Sequence, residues 1–561
     1  MAVADDKAAG SFIKGAAILS AAGIISRFMG LGYRVILTRM IGAEGMGIYQ
    51  MAYPLYTIML VVSRSGIPVT MAKMIADRMA RDENKDAYRV FTIARVMSVI
   101  IGAVFTLGML VLAGPLIRIL RLDPRAYYAI LAIAPAIFLV SIMATYRGFF
   151  QGLQDMRPTA ASQIVEQLIR TITMIGLAYY LLPLGLEFAA AGASFGAVTG
   201  AAAGLLLLFY IYFRRRGDIF EFFVEPEETV KDYQTGSILS EFARLGLPIT
   251  FGALVRPLMN FVDWVFVPQR LQTAGFAMEE ATTLYGLFTN VAMPLVNFPA
   301  IITVSLAASL VPAISEADAL EDRELIAHRT HTALRFTLFL GLPSAVGLTV
   351  LARPLSGVIF SEPAAASILR LLAWGVIFIT LQQTTSAVLQ GIGRTDLPAR
   401  NLALGAAGNA VLNYLLTGLP LFNIHGAAAA TVLGFFTAAA LNIISVLRRV
   451  KNLQSLRTAV VYPALSSLLM GAAVLLLHGF MVETLVGRLP LAELIILLVS
   501  VAAGAGIYSF FMLLSGALKY DDLILLPRVG ENIAKFLGKR GVIDGYKKGE
   551  KLEEGKRSED K

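Results

Sequence analysis

The sequence predicts an all-α polytopic membrane protein with about fourteen transmembrane helices, arranged as two homologous six-helix lobes followed by two C-terminal helices. Three observations predict this fold. The chain of 561 residues is 57% hydrophobic and only 16% charged, whereas soluble domains carry about 25% charged residues. Apolar runs of about 20 residues, the length that crosses a bilayer as a helix, recur from end to end. Three short motifs also recur at a nearly constant separation, which indicates an internal duplication.

The apolar runs place fourteen spans along the chain when they are read with a window of about 20 residues. These predicted spans are 13–37, 45–70, 90–113, 126–147, 158–181, 188–213, 243–270, 283–313, 330–352, 365–390, 399–420, 426–447, 458–480 and 490–516. The first is interpreted as a retained helix, because Arg27 and Arg34 follow its small residues directly and its apolar run is long enough to span.

Lysine and arginine are distributed unequally between the two sets of connections. Thirty-three lie on the side of the N-terminus and six on the opposite side. By the positive-inside rule, both termini are predicted to be cytoplasmic. The net charge of +9 therefore reflects cytoplasmic loops and a basic tail near anionic lipid, and it does not indicate a nucleic-acid partner.

The internal duplication defines the domain organisation. The matching segments are Phe150–Ala160 with Leu389–Ala399 and Ala113–Leu116 with Ala352–Leu355, both at an offset of 239, and Gly192–Gly196 with Ala430–Gly434 at 238. The predicted parts are an N-lobe at 1–213, a cytoplasmic linker at 214–242, a C-lobe at 243–447, two appended helices at 448–516 and a cytoplasmic basic tail at 517–561. Parallel repeats of this kind are typical of secondary transporters, which bind substrate between two bundles.

Charged residues inside the spans are the best candidates for a substrate site, because each costs about 2.5–3.5 kcal/mol to insert. Arg27, Arg34, Arg64 and Arg256 are predicted to line a cationic cavity. Glu166 and Arg170, four residues apart, are interpreted first as a neutralised pair and second as cavity residues.

Other polar residues in the spans have simpler interpretations. Arg147 and Arg370 are predicted to extend to the membrane surface, and partial pairing is predicted for Asp263. Most of the buried amides, among them Asn290, Asn409 and Asn413, are interpreted as interhelical hydrogen-bonding groups.

A cavity with several arginines and few acids selects an anion, and the planar fork of arginine suits phosphate. The first span has no carboxylate, which argues against an exporter of cations coupled to protons or sodium. For an anionic cargo leaving the cell, the membrane potential contributes about 2.3 kcal/mol per charge per 100 mV. No cysteine is present, which excludes thiolate catalysis and cysteine-ligated metals.

Several motifs resemble a known family. They are Ser26–Gly30, Ile41–Gly45, Ser65–Pro68, Arg147–Gly152, Met156–Ala160, Ser162-Gln163 and Glu166-Gln167 with Arg170. This set is similar to the polysaccharide and lipid II flippases of the MOP (MATE-like) superfamily, in the MurJ and stage V sporulation protein B branch. The resemblance extends through all fourteen spans, and the block from Arg147 to Arg170 is its most specific part.

The resemblance implies export of an undecaprenyl-pyrophosphate-linked precursor from the inner to the outer leaflet. It implies that Arg27, Arg34 and Arg64 belong to a cationic cavity for the pyrophosphate. It also implies that the last two predicted spans, 458–480 and 490–516, form a groove for the lipid tail. Relatives carry an arginine on the eighth helix, where this chain has only Asn290 and Asn297. Asn290 is therefore a candidate substrate-binding residue, and Arg256 on the seventh helix is the candidate substitute for the arginine. Some relatives bind sodium in the second lobe, for which Asp263, Asn409 and Asn413 are candidate equivalents.

The predicted function is a non-enzymatic flippase in the bacterial plasma membrane, working by alternating access, with lipid II as the favoured cargo. Its expected partners are that lipid-linked saccharide and membrane lipids, and it is expected to be a monomer. No cofactor is expected apart from a candidate sodium ion, with the membrane potential as driving force. The alternatives are a flippase for another lipid-linked polysaccharide unit, a MATE-type small-molecule exporter, and a membrane glycosyltransferase, which would need essential carboxylates in large outer loops.

Overall fold

The computed structural model describes residues 2–64, 66–215, 217, 235–451, 457–485 and 491–516. Within these ranges the chain is almost entirely helical and has no β-strand, as the composition predicts. The helices are α1 (Ala2–Arg64), α2 (Gly66–Met79), α3 (Asn84–Ile119), α4 (Ala126–Ile133), α5 (Pro135–Gly152), α6 (Arg157–Leu181), α7 (Leu186–Arg214), α8 (Thr235–Thr273), α9 (Met278–Gly286), α10 (Met293–Ala319), α11 (Arg323–Val350), α12 (Ala366–Leu372), α13 (Gly375–Gly391), α14 (Asp396–Thr417), α15 (Asn423–Leu447), α16 (Arg457–Leu485) and α17 (Ala492–Leu514). Parts of the predicted linker at 214–242 and the whole predicted tail at 517–561 lie outside the described residues.

The first two predicted spans follow each other without a separate loop. The range α1 contains two helical segments that meet at Gly42, where φ is 67° and ψ is 179°. Glycine tolerates this backbone conformation because it has no Cβ. A single residue therefore replaces the loop that was predicted between the two spans.

Three other spans are interrupted rather than straight. The fourth is divided into α4 and α5 at Pro135, which lacks the amide hydrogen that a continuous helix would use. The eighth consists of α9, a π-helical segment at Leu287–Ala292, and α10. The tenth is bent by 48° between Pro363–Leu372 and α13.

Among the described residues, ten helical segments are long and apolar enough to cross a membrane, or eleven if the bent pair counts as one span. One of them, Phe28–Met79, has 52 residues and covers residues 28–37 of the first predicted span and all of the second. The helices at the seventh and eleventh predicted spans, α8 and α14, are not among these segments. A polytopic helical membrane protein is thus confirmed, and membrane crossing by α8 and α14 stays a prediction.

The chain divides into two compact units, and the boundary in the sequence lies between Gly286 and Leu287. In the first unit, α8 is joined to α2 by an ion pair of 2.9 Å between Arg78 Nη2 and Glu241 Oε2. The unit boundary falls at the start of the π-helical segment. The predicted lobe limits, which rest on the duplication, stay a prediction.

Within the first unit, α9 crosses α1 at very short range. A Cβ added to Gly286 would lie 2.0 Å from the carbonyl oxygen of Ala43, and one added to Gly47 would lie 2.2 Å from that of Thr282. Small residues allow two helix backbones to approach this closely. The crossing therefore depends on glycine at both positions.

A polar network lies beside this crossing. Arg125 Nη1 pairs with Glu44 Oε1 at 2.7 Å, and Arg125 Nη2 pairs with Asp123 Oδ2 at 2.8 Å. Thr282 Oγ1 donates to the same Asp123 oxygen at 3.0 Å. The side-chain hydrogen bond with Asp123, which outweighs partial burial, raises the pKa of Arg125 above its usual range. The network joins α1, the α3–α4 connection and α9.

The duplication predicted from three motifs recurs in the packing of the helices. The equivalent pairs, offset by 239 residues, are Ser98–Thr145 with Thr337–Thr384, Gly152–Ile75 with Gly391–Ile314, and Gly102–Ser141 with Gly341–Thr380. The first equivalence consists of two hydroxyl–hydroxyl hydrogen bonds, one in each unit. The second and third equivalences are places where a glycine faces a neighbouring helix. Each unit therefore repeats the same local contacts at equivalent sequence positions.

The last two helices belong to the second unit and pack on α11. Val346 of α11 lies in one apolar cluster with Met470 and Val474 of α16 and Leu497 of α17. Tyr508 Oη also donates to the carbonyl oxygen of Phe339 at 2.9 Å. The groove for a lipid tail that was expected at these helices stays a prediction.

The turn between α5 and α6 supports a prediction about pH. Burial would raise the pKa of Asp155, but hydrogen bonds from Arg215 and Arg157 lower it below its usual 3.8. A carboxyl group with a lowered folded-state pKa stabilises the fold above its unfolded pKa, and that contribution is lost as pH falls through the lowered value.

We therefore expect acidification from pH 7 to pH 3 to destabilise the wild type more than the Asp155→Asn variant. The difference should be below about 1 kcal/mol, because the two arginines are largely exposed. Thermal unfolding of the detergent-solubilised proteins across this range measures it. Identical pH dependence of the two proteins would show that Asp155 contributes nothing.

Candidate functional site

Three arginines and one glutamate of the first unit interact with one another, and a fourth arginine, Arg34, is linked to them through Tyr33, which interacts with both Arg34 and Arg170. Arg34 and Arg64 lie on α1, Arg147 on α5, and Glu166 and Arg170 on α6. All five side chains are partly buried. We call these five residues the arginine cluster.

Glu166 is the central acceptor of the arginine cluster. Its Oε2 pairs with Arg147 Nη2 at 2.9 Å, and its Oε1 pairs with Arg170 Nη2 at 3.2 Å. Arg147 Nε also donates to Ser162 Oγ at 2.9 Å. The predicted Glu166–Arg170 pair is confirmed. The prediction that Arg147 extends to the membrane surface is wrong, because Glu166 offers it a partner inside the unit.

Tyrosines of α1 surround the guanidinium groups. Tyr49 Oη donates to Tyr53 Oη at 2.6 Å, and the hydroxyl of Tyr33 interacts with Arg34. The hydroxyl of Tyr56 interacts with Arg170. These rings place neutral, polar groups around the charges, and they restrict the positions that the arginine side chains can adopt.

Positive charge is in excess in the arginine cluster. Its four guanidinium groups and one carboxylate carry a formal charge of +3, and Arg64 interacts electrostatically with both Glu166 and Arg147. Arg170 Nε is buried and has no hydrogen-bond partner among the described residues. The cluster can therefore attract an anion, and it keeps donor capacity beyond what Glu166 uses.

Two of the arginines predicted to line the cavity are Arg27 and Arg256. Arg27 lies on α1 and Arg256 on α8, but their side chains lie outside the described residues. Their roles stay predictions.

Asn290 belongs to the second unit, in the π-helical segment at Leu287–Ala292. It is fully buried, and its Nδ2 donates to Thr289 Oγ1 at 3.2 Å. Interruptions of this kind often mark functional sites. Its predicted contribution to substrate binding stays a prediction.

The candidate sodium ligands divide between the two units. Asp263 is buried on α8 and acts electrostatically on Tyr285 of α9. Asn409 and Asn413 are buried on α14, and Asn413 Oδ1 accepts a hydrogen bond of 2.6 Å from Thr417 Oγ1. Carboxylate and amide oxygens suit a hard cation, but neither unit contains all three residues, so the sodium site stays a prediction. The described part of the chain contains no group of three or more His, Asp or Glu that could hold a metal.

The second unit has a neutral network where the first unit has charges. Ser386, Gly405 and Asn409 occupy the positions equivalent to Arg147, Glu166 and Arg170, at the offset of 239. Here Asn442 Nδ2 donates to Ser386 Oγ at 3.0 Å, and Asn401 Nδ2 donates to Asn442 Oδ1 at 2.9 Å. The charge is therefore a property of the first repeat and is not required by the shared packing.

Sequence reasoning missed the tyrosines. Tyr49, Tyr53 and Tyr56 are spaced four and three residues apart, which places them on one helix face. That spacing was a usable signal, although it does not distinguish an apolar core from a polar site. The Arg147–Glu166 pair had no such signal, because its residues lie on different helices.

Comparison with known families matches most of the chain. Residues 12–318 match the family model described as polysaccharide biosynthesis protein. Residues 288–415 match the model described as MatE. The first match alone covers more than half of the sequence.

Individual relatives cover nearly the whole chain. Stage V sporulation protein B of Bacillus subtilis (strain 168) is 31% identical over 528 residues, covering 94% of this chain and 99% of that protein. Lipid II flippase MurJ of the same organism is 25% identical over 519 residues, covering 89% and 94%.

Two solved structures share the fold. A lipid II flippase MurJ in an inward closed conformation aligns with a TM-score of 0.66 at 17% identity, covering 90% of this chain and 99% of that one. A multidrug resistance MATE family transporter of the MOP superfamily, in an inward-facing conformation, aligns with a TM-score of 0.65 at 17% identity, covering 78% and 98%.

Proposed function

This chain belongs to the polysaccharide biosynthesis protein family, and from that premise we propose that it is a MOP-superfamily transporter that flips an undecaprenyl-pyrophosphate-linked cell-wall precursor, with lipid II as the favoured cargo. It is a multi-pass membrane protein. The relatives whose names state an activity are a flippase and transporters rather than enzymes.

The arginine cluster is the observation that carries this proposal. Its excess of positive charge suits an anionic headgroup, and guanidinium forks bind phosphate oxygens in pairs. A pyrophosphate linked to a lipid and a sugar presents such oxygens between its two ends. The charges lie in helices of a membrane protein, where retaining them is costly without a function.

Transport is proposed to proceed by alternating access between two repeats of one orientation. The protein would lie in a bacterial plasma membrane as a monomer, with both termini cytoplasmic. An inside-negative potential would favour outward movement of the anionic headgroup by about 2.3 kcal/mol per charge per 100 mV. Sodium coupling is a second source of energy within this proposal.

Two alternatives share the architecture. Another lipid-linked polysaccharide unit would present the same pyrophosphate to the arginine cluster. A small-molecule exporter is favoured by the MatE match at residues 288–415, but its cationic substrates would be repelled by the cluster.

Complementation tests the proposed cargo. Expression in a strain depleted of its lipid II flippase should restore growth and restore lipid II that is accessible at the outer surface. Restored growth without accessible lipid II would contradict the proposal. A changed drug-resistance profile in a deletion strain that has normal lipid II exposure would support the exporter instead.

A further inference from the structure

The carboxylate of the arginine cluster is not needed to build its repeat. The position equivalent to Glu166 in the second unit is Gly405, which packs closely against Gly434: a Cβ added to Gly405 would lie 2.5 Å from the Gly434 carbonyl oxygen. The position equivalent to Arg147 is Ser386, which bonds to neutral partners. Since the equivalent helix pairs of the second unit pack without these charges, helix packing does not require the Glu166 carboxylate.

The position of Glu166 resembles that of a bound anion. One carboxylate accepts from guanidinium groups on two helices, through a different oxygen for each, at 2.9 and 3.2 Å. The three side chains of Arg147, Glu166 and Arg170 keep 15%, 14% and 19% of their surface exposed. The pairing is therefore not sealed inside the protein, and an incoming anion can compete for the same donors.

We propose that Glu166 is an internal counter-ion, which holds Arg147 and Arg170 while no cargo is bound and is displaced from them by the pyrophosphate of the cargo. This inference rests on the proposed function and assigns a positioning role to one residue of that site. Pyrophosphate, like a carboxylate, presents paired oxygens to a guanidinium fork, so the exchange conserves the type of bond.

The exchange would tune affinity. The apparent affinity for an anion is the intrinsic affinity multiplied by the fraction of molecules whose binding groups are free. Competition from Glu166 lowers that fraction and therefore weakens anion binding to the arginine cluster. A transporter benefits from this, because a headgroup held too tightly is not released on the far side. Glu166 would therefore lower affinity and raise turnover.

Pyrophosphate binding to the purified full-length protein tests the role of Glu166. In calorimetry with inorganic pyrophosphate, Glu166→Gln should bind about fivefold more tightly than the wild type, because the cluster charge rises from +3 to +4. Lipid flipping by the same variant in vesicles should slow. Glu241→Gln is the matched control: it removes one partner of the 2.9 Å Arg78–Glu241 pair in the same unit, outside the arginine cluster, and should leave pyrophosphate binding unchanged.

Equal or weaker pyrophosphate binding by Glu166→Gln, with an unchanged Tm, would overturn the counter-ion role, since a purely structural carboxylate would give that result. If Glu166→Gln does not fold, Glu166→Asp replaces it. Its shorter side chain should release one arginine and tighten binding by a smaller factor, and unchanged binding would again overturn the role. Absence of pyrophosphate binding in both wild type and variant, together with absence of flipping, would contradict the proposed function itself.

Discussion

Replacing Arg64 with alanine is expected to reduce the rate of lipid flipping at least about tenfold, while the protein still folds and inserts. Hydrogen bonds to charged groups contribute about 1.5–3 kcal/mol each, and each 1.4 kcal/mol changes an equilibrium about tenfold. Arg64 is partly buried on α1 and interacts electrostatically with Glu166 and Arg147. Its loss would lower the formal charge of the arginine cluster from +3 to +2.

Flipping of a fluorescent undecaprenyl-pyrophosphate lipid in reconstituted vesicles measures this effect. Arg370→Ala is the matched control, because Arg370 is an exposed arginine on α12 of the second unit, outside the arginine cluster. The control should flip lipid at the wild-type rate. Normal flipping by the Arg64 variant would remove the arginine cluster from the transport site.

Replacing Gly286 with alanine is expected to destabilise the protein by about 1–3 kcal/mol, the usual cost of overpacking a closely packed site. The added Cβ would lie 2.0 Å from the carbonyl oxygen of Ala43 and 2.9 Å from the backbone nitrogen of Gly47. Backbone atoms cannot rotate away as a flexible side chain can, so α1 and α9 would have to separate. Their separation would also strain the Glu44–Arg125 network beside the crossing.

Thermal unfolding of the solubilised protein measures the cost of this substitution. Gly176→Ala on α6 is the control, since nothing lies within 4 Å of a Cβ at that position and alanine has the higher helix propensity. The control should match or slightly exceed the stability of the wild type. Equal stability of the two variants would show that the α1–α9 crossing adjusts without cost.

Patterns among residues close in sequence, and a comparison of one part of the sequence with another, predicted many features of the fold and of the site. Residues four apart on a helix are neighbours, so the spacing of Glu166 and Arg170 was sufficient to predict their pair. The motif at Phe150–Ala160 and its counterpart at Leu389–Ala399 likewise indicated the repeat that later recurred in hydrogen bonds and glycine contacts. These features depend on residues close in sequence or on a comparison within it.

Features that depend on contacts between distant segments could not be predicted. Arg147 and Glu166 lie on different helices, so sequence spacing could not reveal that they pair. The bend at Gly42 depends on a backbone conformation that composition does not specify. The assignment of α8 and α9 to the first unit depends on contacts such as Gly286 with Ala43.

By itself, the sequence determined that this protein is helical, lies in a membrane, is internally duplicated and carries arginines in its spans, because solvent matching and helical periodicity act on neighbouring residues. Only the tertiary structure decided which of those arginines share a carboxylate and which residues surround them. Side-chain pairing between helices depends on distances of a few ångströms, and these are set by the packing of the whole unit.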